Sequence, residues 1–208
     1  MKVLVVYCHP RLDSFTAAVR DQIMISLQGR NADVRLIDLY AQGFDPVMSS
    51  HDHTIYEDEA VNTLGLEESI VDLKWCDTLI FVYPTWWYGL PAMLKGWLDR
   101  AMLPGIAFLM PDDTHKNIRA GLSHIMRLGV FTTCGASWWL TCVVGAPGRR
   151  TLLRGVRLLC AKSCKTAFAA HYNMDSSTPE SRAAHLIKVD AQIDRFLSAG
   201  ATRRKAAT

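Results

Sequence analysis

The sequence predicts an α/β protein with a doubly wound, five-stranded parallel sheet and helices on both faces. Four apolar runs bounded by polar or breaker residues are typical of strands buried on both faces, and they span 2–8, 78–83, 128–133 and 166–170. A fifth run, 34–39, is less apolar and fits a position nearer the sheet edge. The segments between the runs carry helical periodicity, and this alternation favours parallel strands.

Three helices are predicted from their apolar stripes and end signals. An apolar residue recurs every fourth position from 15 to 27, and Gly29 is expected to end that helix in a left-handed cap. A second helix covers about 90–102, with Pro91 in its first turn. A third opens at 177–180, where Ser-Thr-Pro-Glu matches a capping box. This last helix is expected to bury Leu186, Val189, Ile193 and Phe196.

Length and composition predict one domain over residues 1–200, since 208 residues with 50% hydrophobic content suffice for one core. Residues 201–208 contain no apolar side chain larger than alanine and are expected to be disordered. The segments 41–63 and 103–126 are expected to be long irregular connections.

Charge and cysteine content indicate a cytoplasmic protein. A net charge of +3 gives no strong field for nucleic acid or an anionic membrane, and Arg149-Arg150 is expected to be solvated surface. The apolar start is too short for a signal peptide, and no apolar run is long enough for membrane insertion. Six cysteines without a Cys-x-x-Cys pair indicate reduced thiols and no metal site.

The loop after the first strand is the first candidate for a ligand site. It leads into a helix whose free N–H groups, together with Ser14 and Thr16, fit a phosphate, with His9 beside them. An alternative is that Ser14 only caps the helix. No Gly-x-Gly-x-x-Gly motif and no P-loop motif is present. A phosphatase loop would need an arginine six positions after Cys8, and the residue at that position is Ser14.

The second candidate is an aromatic segment after the third strand. Trp86, Trp87 and Tyr88 are consecutive between two prolines and are too crowded for one core pocket. They suit a flat ring such as the isoalloxazine of a flavin, although packing alone would account for a single tryptophan.

The third candidate follows the fourth strand, where small residues at 132–135 let the backbone approach a ligand closely. All three segments lie at carboxyl ends of predicted strands, so the sequence predicts that they form one site.

Two further stretches carry a family resemblance: 87–97, which reads WYGLPAMLKGW, and 38–41 followed by 44–46 and Ser49. With the phosphate loop and Thr132-Thr133, they resemble the NAD(P)H:quinone oxidoreductase family, also called DT-diaphorase-like, over roughly residues 1–140. The resemblance implies a flavodoxin-like fold with strand order 2-1-3-4-5.

It also implies transfer of hydride from NADH or NADPH, through flavin N5, to a quinone-like acceptor in a ping-pong order. Further implications are a homodimer with the active sites at its interface, and FAD as cofactor, with FMN as the alternative. Implied phosphate contacts are His9, Ser14, Phe15 and Thr16; implied ring contacts are Pro84, Thr85, Trp86, Trp87, Tyr88, Thr132, Thr133, Cys134 and Gly135.

Several implied residues depart from the family pattern or lie far from these loops. Phe108 and Met110 occupy positions where the family usually has tyrosines that close the substrate pocket from the partner subunit, beside Trp87. Arg182 lies near the family's contact with the adenosine end, which favours FAD. The tyrosine and histidine that follow the Thr-Thr-Gly-Gly segment in mammalian members are missing here, so no catalytic acid or base is assigned.

Two other functions share this fold. A flavodoxin-type electron carrier is one, although such carriers are usually strongly acidic. A regulatory flavoprotein subunit of a potassium efflux system is the other.

Overall fold

A computed structural model describes residues 1–198. At the centre of the fold lies a five-stranded parallel sheet whose strands, from one edge to the other, are Asp33–Asp38, Lys2–Tyr7, Thr78–Thr85, Arg127–Cys134 and Lys165–His171. Counted among the sheet strands alone, this is the predicted order 2-1-3-4-5. The expectation that the second strand lies at an edge is also confirmed. The strands in chain order are β1 (Lys2–Tyr7), β2 (Asp33–Asp38), β3 (Thr78–Thr85), β4 (Phe108–Leu109), β5 (Arg119–Ala120), β6 (Arg127–Cys134) and β7 (Lys165–His171).

Helices cover both faces of the sheet and make two apolar cores. The core on one face contains apolar residues of the helices Phe15–Gln28 and Pro179–Ser198. The core on the other face contains those of the helices Glu67–Trp75 and Ala92–Ala101 and of the segment before β7. The helices are α1 (Phe15–Gln28), α2 (Ser50–Ile55), α3 (Glu67–Trp75), α4 (Ala92–Ala101), α5 (Trp138–Val144), α6 (Pro147–Arg150), a π-helical turn (Thr151–Val156), α7 (Arg157–Leu159), a 3₁₀ turn (Met174–Ser176) and α8 (Pro179–Ser198).

Two predicted helix ends are wrong in detail. Gly29 has φ −61° and is right-handed, whereas the left-handed residue is Asn31, with φ 52°. The cap of α8 is Thr178 rather than Ser177, because Thr178 Oγ1 accepts from the N–H of Ser181 at 3.2 Å and the Ser181 Oγ accepts from the N–H of Thr178 at 3.0 Å. This reciprocal pair shifts the capping box by one residue.

Helix α4 begins two residues later than predicted, with Pro91 as its N-cap. Its side chain Trp97 is fully buried and donates from Nε1 to Ser69 Oγ at 3.1 Å. On the same helix, a Cβ added at Gly96 would lie 2.2 Å from the carbonyl oxygen of Pro46. Only glycine therefore lets the loop at Pro46 approach the helix this closely.

The two long connections are less irregular than predicted. The first contains α2, whose capping box joins Ser49 and Asp52. The second contains the antiparallel pair β4 and β5. The expectation of disorder at 201–208 concerns residues outside the part of the chain that the structure describes.

All six cysteines are free thiols, and only Cys142 is exposed. Within residues 1–198, no helix is both long and apolar enough to cross a membrane.

Candidate functional site

A cleft of about 780 Å³ lies at the carboxyl ends of β1, β3 and β6. It is the place where the three loops singled out from the sequence meet, and we call it the main cleft. Its walls are His9, Arg11, Ser14, Phe15, Thr16, Pro84, Thr85, Trp86, Trp87, Thr133, Cys134, Gly135, Met174 and Asp175. Parallel strands bring their carboxyl ends to one edge, so residues distant in sequence become neighbours there.

The loop from β1 into α1 forms the polar end of the main cleft. Ser14 is the N-cap of α1, and its Oγ accepts from the N–H of Ala17 at 3.1 Å. The remaining first N–H groups of a helix have no intrahelical partner, and the first turn of α1 contains no acidic side chain. This end of the cleft is therefore suited to an anion.

Thr16 ties this loop to the opposite wall. Its buried hydroxyl lies 2.8 Å from the hydroxyl of Thr133 at the end of β6. A second hydroxyl pair, Thr85 and Thr132, joins β3 to β6, also at 2.8 Å. These two contacts hold the carboxyl ends of the central strands in register around the cleft.

His9 lines the cleft beside the aromatic turn, with its ring centre 6.3 Å from that of Trp86. Its Nδ1 lies 3.0 Å from the backbone nitrogen of Arg11 and 3.1 Å from the carbonyl oxygen of the same residue. Burial lowers the pKa of His9, with a smaller opposing effect from its hydrogen bond to the Arg11 backbone. The lowered pKa favours the neutral form of the His9 ring at neutral pH.

Cys8, at the start of the same loop, is not a nucleophile. Burial raises the pKa of its thiol to about 12, so the thiolate is absent at neutral pH. This agrees with the absence of a phosphatase motif.

The aromatic turn, residues 86–89, has an unusual backbone. The N–H of Gly89 donates to the carbonyl of Trp86 at 2.9 Å, and the two residues between them are left-handed, with φ 49° at Trp87 and 61° at Tyr88. Bulky aromatic residues rarely adopt this region, and each such residue costs of the order of 1 kcal/mol or more. The Trp87 side chain is also 95% exposed.

Helix α6 supports the aromatic turn from behind. The N–H of Gly148 donates to the carbonyl of Tyr88 at 3.4 Å, and a Cβ at Gly148 would lie 3.1 Å from the carbonyl carbon of Gly89. The turn is thus held in its strained form by close packing against α6. Strain and exposure at the same residues indicate a ligand-binding role rather than core packing.

The far wall of the main cleft is formed by the end of β6 and by the residues after β7. A Cβ at Gly135 would lie 3.1 Å from Asp175 Oδ2, so these two segments approach each other closely. Asn173, with φ 55°, turns the chain into the 3₁₀ segment that carries Met174 and Asp175.

Three cleft residues were missed by the sequence analysis: Arg11, Met174 and Asp175. The signal for Met174 and Asp175 was their place shortly after the predicted strand 166–170, because that strand also ends at this edge. Arg11 forms an exposed ion pair with Asp13 at 2.8 Å.

Not all predicted site residues lie in the main cleft. Tyr88 lines an adjoining side cleft, together with Thr85, Trp87, Cys134, Gly135, Ala136, Leu140 and Asp175. Thr132 lines a small cavity behind the wall. Phe108, Met110 and Arg182 line neither cleft: Phe108 packs against the core, Met110 is 40% exposed, and Arg182 lies in the first turn of α8.

Two histidines back the phosphate loop. His171, at the end of β7, and His185, on α8, have ring centres 5.1 Å apart, and both pack against Phe15. Burial lowers the pKa of both rings, that of His185 to about 4. In the described part of the chain, no three His, Cys, Asp or Glu side chains are arranged to hold a metal ion.

Comparisons with known proteins agree with this architecture. A family model described as "Flavodoxin-like fold" matches residues 1–197. The NAD(P)H oxidoreductase YcaK of Escherichia coli, described as uncharacterized, is 36% identical over 116 residues, which are 55% of this chain and 58% of YcaK. Human ribosyldihydronicotinamide dehydrogenase [quinone] is 31% identical over 53% of this chain and 54% of its own length. The chain thus spans little more than half the length of these relatives.

Solved structures show the same fold. NAD(P)H:quinone oxidoreductase from Methanothermobacter marburgensis superposes with a TM-score of 0.78 at 22% identity, covering 94% of this chain and 96% of that one. An FMN-dependent NADH-azoreductase from Bacillus anthracis, in complex with FMN, gives 0.71 at 19% identity, covering 93% and 98%. At these identities the likeness concerns the fold alone.

Proposed function

Because the chain belongs to the flavodoxin-like family, we propose that it is a flavin-dependent oxidoreductase that transfers hydride from NADH or NADPH to a quinone-like acceptor. The observation that carries this proposal is the main cleft, where an anion-binding loop, a strained aromatic turn and small residues converge. Relatives named NAD(P)H oxidoreductase and dehydrogenase [quinone] support the same class of reaction.

The donor set of the main cleft fits a flavin. Ser14, Thr16 and the first N–H groups of α1 offer hydrogen bonds to a phosphate, and no acidic residue of that turn opposes it. Trp86 and Trp87 offer aromatic surface to a flat ring, while Gly135 leaves room for close approach to the backbone. A volume of about 780 Å³ is in the range of cofactor sites.

Each segment of the chain has a separate task in the proposed reaction. The loop at Ser14 and Thr16 anchors the phosphate, and Trp86 and Trp87 exclude water from the ring's face. The backbone at Gly135 offers N–H groups to negative charge. A flavin held by these residues would supply at N5 the hydride acceptor, and the one cleft would take nicotinamide and quinone in turn, in a ping-pong order. We assign no side chain as catalytic acid or base.

We propose FAD as the cofactor, with FMN as the alternative. Arg182 favours FAD, because the family resemblance implies a contact with the adenosine end of the cofactor near this residue, across the dimer. Replacing it by glutamine should weaken binding of FAD while leaving that of FMN unchanged; equal effects on both would assign Arg182 a structural role.

We also propose a cytoplasmic homodimer. Phe108 and Met110 lie outside the main cleft of their own chain, and a partner subunit would bring them to its neighbour's cleft. Equilibrium sedimentation would test this, and a monomer at micromolar concentration would contradict it.

The function is tested by titrating the purified protein with FMN and FAD, and then following NADH and NADPH oxidation with a water-soluble quinone. Flavin binding with quinone-dependent oxidation is expected. Flavin binding without turnover would contradict the proposed enzyme activity and favour an electron carrier or a regulatory subunit. A protein that binds no flavin would overturn the proposal.

Trp87→Gly separates a functional role from a structural one. Glycine relieves the strain of φ 49°, so the variant should be more stable by about 1 kcal/mol, yet bind flavin more weakly because one aromatic wall is lost. Asn31→Gly is the matched control, since it changes another left-handed residue, at φ 52°, away from the cleft. If the Trp87→Gly variant binds flavin as tightly as the wild type, Trp87 does not contribute to flavin binding.

A further inference from the structure

His171 is a buried polar residue at the carboxyl end of β7, and the proposed reaction does not use it. Its side chain is largely buried, and its Nδ1 has no hydrogen-bond partner of good geometry among residues 1–198. Its Nε2 lies 3.5 Å from Ser181 Oγ, at the limit of a hydrogen bond. A buried polar atom without a partner costs about 1–3 kcal/mol, which an apolar ring would avoid. Such a group indicates a role other than packing.

The ring of His171 packs against the first residue of α1. Its centre lies 5.2 Å from that of the Phe15 ring, in an edge-to-face arrangement. His185 completes the group, with its ring centre 5.1 Å from that of His171 and 5.9 Å from that of Phe15. Phe15 follows the N-cap Ser14, so the backbone N–H groups of Phe15 and Thr16 are helix-terminal donors without an intrahelical partner. The His171 ring thus helps to fix a residue whose N–H is available to an anion.

A second link joins His171 to the same loop through the sheet. His171 is paired in register with Thr133 of β6. Side chains of paired residues in neighbouring parallel strands point to the same face, so His171 and Thr133 share the face that α1 covers. The Thr133 hydroxyl in turn lies 2.8 Å from that of Thr16. His171 is therefore connected to the loop from β1 into α1 through Phe15 and through Thr133.

The surroundings of His171 disfavour its charged form. Burial lowers the pKa of the ring, with smaller opposing effects from the backbone of Ser181 and Tyr172 and a further lowering by Arg182. The lowered pKa favours a neutral ring at neutral pH.

A bound anion would reverse this balance. The charged side chains that act on the rings of His171 and His185 from α8 are Arg182 and Lys188, both cations. From α1 and β6, Phe15 and Thr133 contribute no charge. A phosphate held by the first turn of α1 would bring a negative charge close to a ring whose charged neighbours are cations, and so would favour the imidazolium.

We propose that His171 is a positioning residue of the loop from β1 into α1, and that a phosphate bound by this loop and a proton on His171 stabilise each other. The inference rests on the proposed function, because the phosphate is that of the flavin. If the bound phosphate raises the pKa of His171, binding is tighter below that raised pKa and the gain is absent above it. His185, whose pKa is about 4, stays neutral down to pH 5.5.

The test is the dissociation constant of FMN at pH 8 and pH 5.5, measured by flavin fluorescence for the wild type and His171→Phe. Phenylalanine keeps an aromatic ring against Phe15 but does not titrate. The ratio of the variant's constant to the wild type's should grow at least roughly threefold as the pH falls, since each unit of pKa raised by the phosphate allows up to about tenfold tighter binding. This ratio cancels the ionisation of FMN itself and of His9, Arg11 and Asp175 in the cleft, because both proteins share them.

Two controls separate this linkage from a structural effect. Riboflavin, which is FMN without its phosphate, should give a ratio that does not change with pH. His185→Phe makes the same substitution in the same group of rings at a residue that does not titrate in this range, and it should keep the wild-type pH dependence for FMN. The inference is overturned, and the proposed function stands, if FMN binds but His171→Phe and wild type share one pH dependence. A ratio that changes equally with riboflavin would also overturn it and leave His171 a structural role.

A second measurement uses the wild type alone, so it does not depend on the folding of a variant. Titration of the His171 ring followed by NMR should give a higher pKa with inorganic phosphate present than without it. An unchanged pKa would overturn the inference whether or not flavin binds. A protein that binds no flavin, yet shows this shift with phosphate, would refute the proposed function and retain the coupling between His171 and the loop.

Discussion

His185 is expected to make the folded protein less stable as the pH falls from 7 to 5. Its side chain is 6% exposed, its ring lies 5.1 Å from that of His171, and its Nε2 has no hydrogen-bond partner within residues 1–198. Burial, and then the charges of His171 and Lys188, lower its pKa from 6.5 to about 4. Protonation therefore opposes the folded state.

The size of the effect follows from linkage. Between pH 6.5 and pH 4 the unfolded chain binds a proton at this position that the folded chain does not. The contribution of His185 to the free energy of unfolding is therefore fully present above the unfolded pKa and is lost as the pH falls. The loss from His185 is about 2 kcal/mol between pH 7 and pH 5, and approaches about 3 kcal/mol below the folded pKa.

The assay is urea unfolding of the wild type and His185→Phe at pH 7 and pH 5. Phenylalanine keeps an aromatic ring against Phe15 and His171 but does not titrate, so the stability loss between the two pH values should be about 2 kcal/mol smaller in the variant. His171, whose pKa burial also lowers, should account for part of what remains. If wild type and variant lose the same stability, or if the His185 ring titrates near its ordinary pKa in an NMR experiment, the reasoning is wrong.

Two further predictions concern backbone geometry. Gly96→Ala should lower the free energy of unfolding by about 1–3 kcal/mol in chemical denaturation, because the new Cβ would lie 2.2 Å from the Pro46 carbonyl oxygen. The control Gly155→Ala should be neutral or slightly stabilising, because no atom lies within 4 Å of the added Cβ. Equal effects in the two would refute the close-packing argument. Ser14→Ala should lower the free energy of unfolding by about 1 kcal/mol, because the N–H of Ala17 loses its hydrogen-bond acceptor. The same variant should bind flavin more weakly. An unchanged flavin affinity would show that Ser14 only caps the helix.

The fold could be predicted from sequence because its signals are local. Continuous apolar runs identify strands covered on both faces, and β2 was placed at an edge because its run is less apolar. The helix ends were less accurate, since Gly29 and Asn31 both permit a left-handed turn. The chain uses Asn31, and two residues later Asp33 donates its N–H to the carbonyl of Met1 as β2 begins.

The meeting of the three loops was predicted, because parallel strands share an edge, but the details of the walls were not. Nothing local indicates that Trp87 and Tyr88 adopt left-handed conformations, since bulky aromatic residues avoid them; packing of α6 against Gly89 imposes that geometry. Asp175 was missed because it reaches the cleft only through the turn at Asn173.

The sequence by itself determined the five strands of the sheet, three of the helices and the identity of the three loops, because these depend on periodicity and on residues adjacent in the chain. Only the tertiary structure decided which side chains became neighbours: the buried pair His171 and His185, the strained aromatic turn against α6, and the hydroxyl pair Thr16 and Thr133. Those contacts join residues that are far apart in sequence or oriented by packing, and their energies exist only once the chain has folded.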